Sequence, residues 1–169
     1  NYIGSNLNRG DKTDTELAAL DEVLGKYDTS LDKPFYMMLL GSDRRPGEKG
    51  NARSDTNIVC RVDPIEYKVT MLSIPRDTKI DIKGHGTQKF NAAYAFDGAA
   101  GAIREAENLL GVDITHYAEV NFVDFAGLVD AVGGITVENE SKIDNRKADG
   151  PDGNQYVIEA GTVNLTGGQ

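Results

Sequence analysis

The sequence has one cysteine, no long apolar run and no excess of positive charge, and each shortage excludes a class of protein. A single cysteine, Cys60, excludes a disulfide within the chain, and we expect it to be a small buried residue. No apolar run approaches the roughly 20 residues that a transmembrane helix needs. No signal peptide begins at Asn1. The net charge of −9 argues against a broad basic face for nucleic acid.

Familiar catalytic patterns are also missing. The sequence shows no serine–histidine–acid arrangement and no setting that would activate Cys60. His85 and His116 lie far apart without a ligand-like partner, so we expect both at the surface. The 169 residues, of which 39% are hydrophobic, are nevertheless enough for one domain with its own core.

Positive charge is concentrated in one part of this acidic chain. Residues 41–89 hold 10 of the 18 lysines and arginines and 7 acids, a balance of +3 that leaves −12 elsewhere. A basic island of this kind favours a small, strongly anionic ligand focused onto one place.

Three short apolar runs in the same region are bounded by turn residues and predict strands. They occupy residues 35–40, 57–62 and 69–74. Asp63 and Pro64 predict a tight turn, which favours antiparallel pairing. If the strands run up, down and up, then Asp43, Asp55 and Arg76 lie at one edge of the sheet. That edge is the candidate site.

The rest of the chain alternates helical and strand patterns, which indicates an α/β fold: a layered α-β-α domain with a mixed central sheet. Helices are expected at 13–26, 98–110 and 124–132, and further strands at 78–82, 117–122, 135–137 and 156–158. Asp97 should cap the second helix and Gly111 should end it. We expect residues 1–33 to form an arm and a helix that packs on the sheet, and 34–169 to form the main domain.

Asp43 and Asp55 are candidate ligands for Mg²⁺, which takes one or two carboxylates together with substrate phosphates. A bridging cation would remove the repulsion between these carboxylates and a phosphate. The alternative is a pair of turn aspartates that cap loops or pair with Arg53 and Arg45.

Four basic residues are candidates for binding phosphate: Arg45, Arg53, Arg76 and Lys89. Arginine grips phosphate with a planar fork, and Pro75 stiffens the turn that presents Arg76. The alternatives are surface salt bridges from the arginines to Asp77 and Glu48 and a solvated loop lysine at position 89.

Taken together, the clusters resemble the LytR-CpsA-Psr family of Gram-positive cell-envelope proteins. The matching motifs are Leu39-Leu40-Gly41-Ser42-Asp43-Arg44-Arg45, Arg53-Ser54-Asp55-Thr56, Ser73-Ile74-Pro75-Arg76-Asp77, Lys89-Phe90-Asn91-Ala92-Ala93-Tyr94, Glu107-Asn108-Leu109-Leu110-Gly111-Val112, Val120-Asn121-Phe122 with Phe125, Val132-Gly133-Gly134 and Leu165-Thr166-Gly167. The resemblance covers about Pro34 to Gln169.

The resemblance implies an Mg²⁺-dependent phosphotransferase that moves an anionic glycopolymer, such as teichoic acid or capsule, from a polyprenyl-pyrophosphate carrier onto peptidoglycan. Asp43 and Asp55 would hold the metal, and Arg53 and Arg76 would bind the pyrophosphate with Arg45 nearby. Arg76 and Asp55 would be the catalytic residues, although a metal-bound carboxylate is a poor base. The resemblance also implies a protein that faces outward from the cytoplasmic membrane on a single-pass anchor, which we expect to lie outside residues 1–169.

One departure concerns the C-terminal side. The family pattern continues past Leu165-Thr166-Gly167 into an arginine-rich segment, so this chain is expected to be a fragment that binds the carrier weakly. Three other functions stay open: a metal-dependent pyrophosphatase or phosphatase, a polyprenyl-phosphate-binding module, and a transcriptional attenuator. The net charge and the missing helix-turn-helix argue against the last.

Overall fold

The computed structural model describes residues 12–24, 32–43, 52–144 and 156–168. The chain divides into two compact units, residues 1–119 and 120–169. The helices are α1 (Asp14–Leu24), α2 (Phe90–Leu110) and α3 (Phe122–Ala131). The strands are β1 (Phe35–Ser42), β2 (Ser54–Asp63), β3 (Lys68–Ser73), β4 (Lys79–Ile82), β5 (Gly86–Lys89), β6 (Ile114–Asn121), β7 (Ile135–Asn139), β8 (Ile143–Asp144), β9 (Val157–Ile158) and β10 (Gly161–Leu165).

The central sheet has the strand order β3-β2-β1-β6. Both β1 with β2 and β2 with β3 pair antiparallel, so the three predicted strands and their alternation are confirmed. The Asp63 carboxylate accepts hydrogen bonds from the backbone N–H groups of Ile65 and Glu66 in the turn after β2. The bond from Glu66 is the main reason that the pKa of Asp63 is lowered. The α/β class with a mixed central sheet is also confirmed.

Helix α1 begins with reciprocal bonds between Thr13 and Glu16. The Glu16 carboxylate accepts from the backbone N–H of Thr13 at 2.7 Å, and the Thr13 hydroxyl accepts from the N–H of Glu16 at 3.3 Å. Leu20 and Leu24 are buried in the core. The helix packs on α2, which itself lies against β2, and Leu20 and Leu24 share one apolar core with Met38, Leu40 and Val59 of the central sheet.

Helix α2 consists of two helical segments that are separated by a break at Asp97 and Gly98. The second segment runs from the break to Leu110, as predicted, whereas the first segment, which begins at Phe90, was not predicted. Gly98 has φ 61°, a conformation that favours glycine. The first segment lacks a capping signal in the sequence, because its N-cap, Lys89, makes no side-chain cap bond. Gly111 ends the helix in the left-handed conformation, as predicted.

The second unit contains α3 and two short antiparallel pairs. The Asn121 side chain caps α3 by accepting from the N–H of Asp124 at 2.9 Å, so Phe122 begins this helix and does not end the preceding strand. Strand β10 pairs with β7, and β9 pairs with β8. Strand β10 was not predicted. Across the described ranges, no helix has the length and apolar character needed to cross a membrane.

Candidate functional site

The end of β1 and the start of β2 meet in an irregular part of the central sheet. Ser42 pairs with Ser54, whereas Gly41 pairs with Thr56, so Asp55 is the extra residue of a bulge. Bulges re-aim side chains and are common beside active sites. The exposed Asp43 follows directly. Its N–H donates to the Arg53 carbonyl at 3.1 Å, and its Oδ1 accepts from the Arg53 N–H at 2.6 Å.

Asp55 and Arg76 meet at this edge, as the strand alternation predicted. Arg76 Nη1 donates to Asp55 Oδ1 at 2.5 Å, and their side chains are 49% and 39% exposed. An ion pair this exposed stabilises the fold little. The Arg76 guanidinium and the Asp55 carboxylate can therefore separate, and each can bind a ligand instead.

The turn that carries Arg76 is held on both sides by backbone hydrogen bonds. On one side, the N–H of Ile74 donates to the carbonyl of Asn57 in β2 at 2.8 Å. On the other, the first N–H groups of α2 donate to the turn: Asn91 to the Arg76 carbonyl at 3.1 Å and Phe90 to the Thr78 carbonyl at 2.8 Å. The backbone of Arg76 is thus fixed while its guanidinium remains exposed.

The other predicted basic residues differ in their surroundings. Lys89 Nζ lies 2.6 Å from Asp77 Oδ1, and this hydrogen bond is the main reason that the pKa of Asp77 is lowered. Arg53 is exposed and contacts Asp43 through its backbone. Arg45 lies outside the described residues.

The donor set at this edge fits Mg²⁺. Among the described residues, the hydrogen bonds to the Asp43 and Asp55 carboxylates are accepted at Oδ1. The second oxygen of each carboxylate, Oδ2, could bind a cation. Within the described ranges, no group of three or more histidine, cysteine, aspartate or glutamate side chains could hold a metal ion. A site of two carboxylates completed by water and phosphate matches the habit of Mg²⁺. The facing of the two carboxylates stays a prediction.

Three buried polar side chains next to the Arg76 turn were missed from the sequence. Ser54, Asn57 and Asn91 are at most 1% exposed, and Ser54 Oγ, Asn57 Oδ1 and both amide atoms of Asn91 have no hydrogen-bond partner. Burying an unpaired polar atom costs about 1–3 kcal/mol. Because these unpaired polar atoms lie beside the candidate site, a functional role for them is favoured over a purely structural one.

A partly buried hydrogen-bond cluster around Glu119 was also missed. Glu119 accepts from the hydroxyls of Tyr94 and Ser42 and from Lys12 Nζ. The sequence contains one indication of this cluster. Glu119 lies two residues after Tyr117 on the same face of the strand, and Tyr117 packs against the core. The sequence does not reveal that α2 and β1 supply the donors.

The remaining expectations concern histidine and cysteine. Cys60 is buried, as expected, and burial raises its pKa. His85 is exposed and stacks on Phe96 with ring centroids 3.7 Å apart. His116 was wrongly expected at the surface: it is half-buried beside Phe35, and burial lowers its pKa. Neither histidine takes part in the candidate site.

The chain is similar in sequence and fold to known proteins. The model of the LytR_cpsA_psr family matches residues 3–169. A polyisoprenyl-teichoic acid–peptidoglycan teichoic acid transferase TagU of Halalkalibacterium halodurans is 41% identical over 163 residues, which are 96% of this chain and 48% of that protein. The chain spans about half the length of the curated relatives it matches.

Solved structures of similar fold contain ligands. The LytR-CPS2A-psr family protein YwtF (TagT) with bound octaprenyl pyrophosphate lipid has a TM-score of 0.68 at 31% identity, covering 85% of this chain and 57% of that one. TagT bound to LIIa-WTA has a TM-score of 0.68 at 31% identity, covering 85% of this chain and 54% of that one.

Proposed function

Because the chain belongs to the LytR-CpsA-Psr family, we propose that it transfers an anionic glycopolymer of the teichoic acid type from a polyprenyl-pyrophosphate carrier to peptidoglycan. The observation that carries the proposal is the exposed Arg76–Asp55 pair beside Asp43, on a turn fixed by α2. The guanidinium that would bind an anion and the two carboxylates that would bind a cation therefore lie on adjacent elements. TagU of H. halodurans and the ligands of TagT agree with this chemistry.

The reaction is a displacement at phosphorus. A hydroxyl oxygen of the peptidoglycan sugar forms a bond to the phosphorus next to the glycopolymer. The bond from that phosphorus to the bridging oxygen breaks, polyprenyl phosphate leaves with the electron pair, and the hydroxyl proton passes to solvent. Charge therefore develops on the leaving phosphate, and groups that stabilise it lower the barrier.

The residues of the chain would divide this work. Arg76 exchanges Asp55 for a phosphoryl oxygen, with Arg53, Arg45 and Lys89 as further cations. Asp43 and Asp55 would hold Mg²⁺, which when bound would neutralise part of the pyrophosphate charge. The fixed turn backbone limits how far Arg76 must reorganise when its guanidinium changes partner.

The setting of the reaction follows from its substrates. A polyprenyl carrier is embedded in the membrane and peptidoglycan lies outside it, so the site would work at the outer face of the cytoplasmic membrane in the cell envelope. Membrane attachment through an anchor outside residues 1–169 is part of this proposal.

A transfer assay with the full-length protein tests the function. Purified protein, polyprenyl-pyrophosphate-linked glycopolymer and peptidoglycan should yield covalently attached polymer and free polyprenyl phosphate, and EDTA should stop the reaction until Mg²⁺ is restored. The variant Asp55→Asn should require more Mg²⁺, whereas Asp81→Asn, at an exposed carboxylate of β4, should not. Release of free glycopolymer with no attachment would instead indicate a pyrophosphatase.

A further inference from the structure

The partly buried cluster around Glu119 links parts of the molecule that carry different site residues. Glu119 Oε1 accepts from the Tyr94 hydroxyl and from Ser42 Oγ, the latter at 3.3 Å. Glu119 Oε2 accepts from Lys12 Nζ at 2.5 Å, and the two side chains are 11% and 13% exposed. One carboxylate in β6 therefore joins α2, β1 and the segment before α1.

The Ser42 bond holds the strand end that presents Asp43. Ser42 is the last residue of β1 and is buried, and the register between β1 and β2 shifts just there. A bulge weakens regular pairing, so the ladder alone fixes this end less firmly than the strand centre. The hydrogen bond to Glu119 attaches this end of β1 to β6, the neighbouring strand on the other side.

The Tyr94 bond holds the helical segment that supports Arg76. Tyr94 lies one turn after Asn91, whose N–H donates to the Arg76 carbonyl. The break at Asp97 and Gly98 separates this first segment from the rest of α2, so its orientation needs an attachment of its own. Tyr94 provides it by donating to Glu119.

We propose that Tyr94 and Glu119 are positioning residues that set the spacing between the Asp43 end of β1 and the Arg76 turn. Glu119 touches both attachments through the same oxygen, Oε1. If either the Tyr94 or the Ser42 hydroxyl is lost, the Glu119 carboxylate shifts toward the hydroxyl that remains. A substitution at Tyr94 therefore also changes the position of Ser42 and of the strand end that carries Asp43. The contribution to ligand binding rests on the proposed function, whereas the spacing itself does not.

Native-state amide hydrogen exchange tests the spacing without any ligand. The variant Tyr94→Phe removes one hydroxyl, and Tyr36→Phe is the control, because the Tyr36 hydroxyl makes no hydrogen bond to the described residues. In Tyr94→Phe, exchange of the Asp43 and Asn91 amides should quicken by about tenfold while the amides of β2 keep their rates. Unchanged rates, or a uniform rise that includes β2, would overturn the proposal.

A double-mutant cycle tests the consequence for binding. The ligand is farnesyl pyrophosphate with Mg²⁺, titrated calorimetrically into the full-length protein. Tyr94→Phe and Ser42→Ala should each weaken binding by roughly three- to tenfold, and the double variant should be no weaker than either, since both act through Glu119. Additive losses or wild-type affinity would overturn the positioning role. A wild type that binds no farnesyl pyrophosphate would overturn the proposed function, and the exchange experiment would still decide the spacing.

Discussion

Four charged residues of the candidate site, Asp43, Asp55, Arg76 and Lys89, already have partners in this structure. Arg76 pairs with Asp55, Lys89 pairs with Asp77, and Asp43 accepts from the backbone of Arg53. The binding of a metal and a pyrophosphate would therefore replace these contacts with contacts to the ligands, and none of these charged groups would be left unpaired. Since the side chains of both ion pairs are exposed, the contacts that are given up cost little.

Arg76→Ala in the full-length protein should abolish glycopolymer attachment and leave the fold intact. Loss of a charge-assisted contact that strengthens in the transition state costs about 2.7–4 kcal/mol, by analogy with oxyanion donors. The exposed ion pair to Asp55 should contribute no more than about 1 kcal/mol to unfolding. Attachment in the transfer assay and urea denaturation measure the two quantities.

The matched control is Arg104→Ala. Arg104 is also an arginine in an exposed ion pair, with Asp97 at 2.9 Å, but it lies on α2 after the break. Its removal should leave attachment unchanged. Near-normal attachment in Arg76→Ala would show that Arg76 is only a surface residue.

His116 should make the stability depend on pH just below neutrality. Burial lowers its pKa in the folded protein, so the unfolded chain binds the proton more readily. Stability is then complete above the unfolded pKa of about 6.5 and is lost as the pH falls through that value. Urea denaturation between pH 7.5 and 5.5 measures this slope. The variant His116→Gln should show a flatter slope, and an identical slope would assign the titration to another group.

At the scale of elements, the break in α2 brings two of its turns into close contact. An ideal Cβ on Gly101 would lie 2.3 Å from the carbonyl oxygen of Ala93, which belongs to the segment before the break. The segment that carries Asn91 and Tyr94 therefore meets the second segment at a residue without a side chain. Glycine at position 101 is required by this approach, since its own φ is not positive.

Gly101→Ala should consequently destabilise the protein, although alanine normally favours a helix. Overpacking a buried site costs about 1–3 kcal/mol, which exceeds the propensity gain of about 1 kcal/mol. Gly127→Ala is the control, because an ideal Cβ there meets nothing within 4 Å in helix α3. Thermal unfolding of both variants gives the comparison. A stabilised Gly101→Ala variant would mean that the two segments do not approach this closely.

Local patterns predicted the elements whose signals are local. The runs of β1, β2 and β3 are apolar and end at turn residues, so their pairing and the meeting of Asp55 with Arg76 followed from alternation alone. The second segment of α2 was predicted, and the first was missed because Lys89 and Phe90 carry no capping signal. The Glu119 cluster joins residues up to 107 positions apart, and such contacts form only in the tertiary structure.

At the scale of the molecule, charge is arranged for a small anion. The net charge is −9, and the basic island at 41–89 holds an excess of only +3. Within the described residues of the island, Arg61, Arg76 and Lys89 each lie against an aspartate. The exposed positive field is therefore short-ranged, which suits two phosphoryl groups better than a long polyanion.

This arrangement predicts that the protein does not retain duplex DNA, which separates the transferase from a transcriptional attenuator. Non-specific DNA binding needs several lysines and arginines that neutralise phosphates spaced about 1.7 Å apart along the duplex axis, and it weakens steeply with salt. An acidic protein with a small basic island lacks that row of cations. Gel-shift titration of a 30-base-pair duplex should show no complex between about 50 and 200 mM salt, the range over which genuine phosphate contacts weaken measurably. Farnesyl pyrophosphate with Mg²⁺ should bind the same preparation, which controls for folding. A shifted band would contradict this prediction if the logarithm of its association constant fell linearly with the logarithm of the salt concentration. It would show that the basic island is long enough to contact several phosphates of a nucleic-acid backbone.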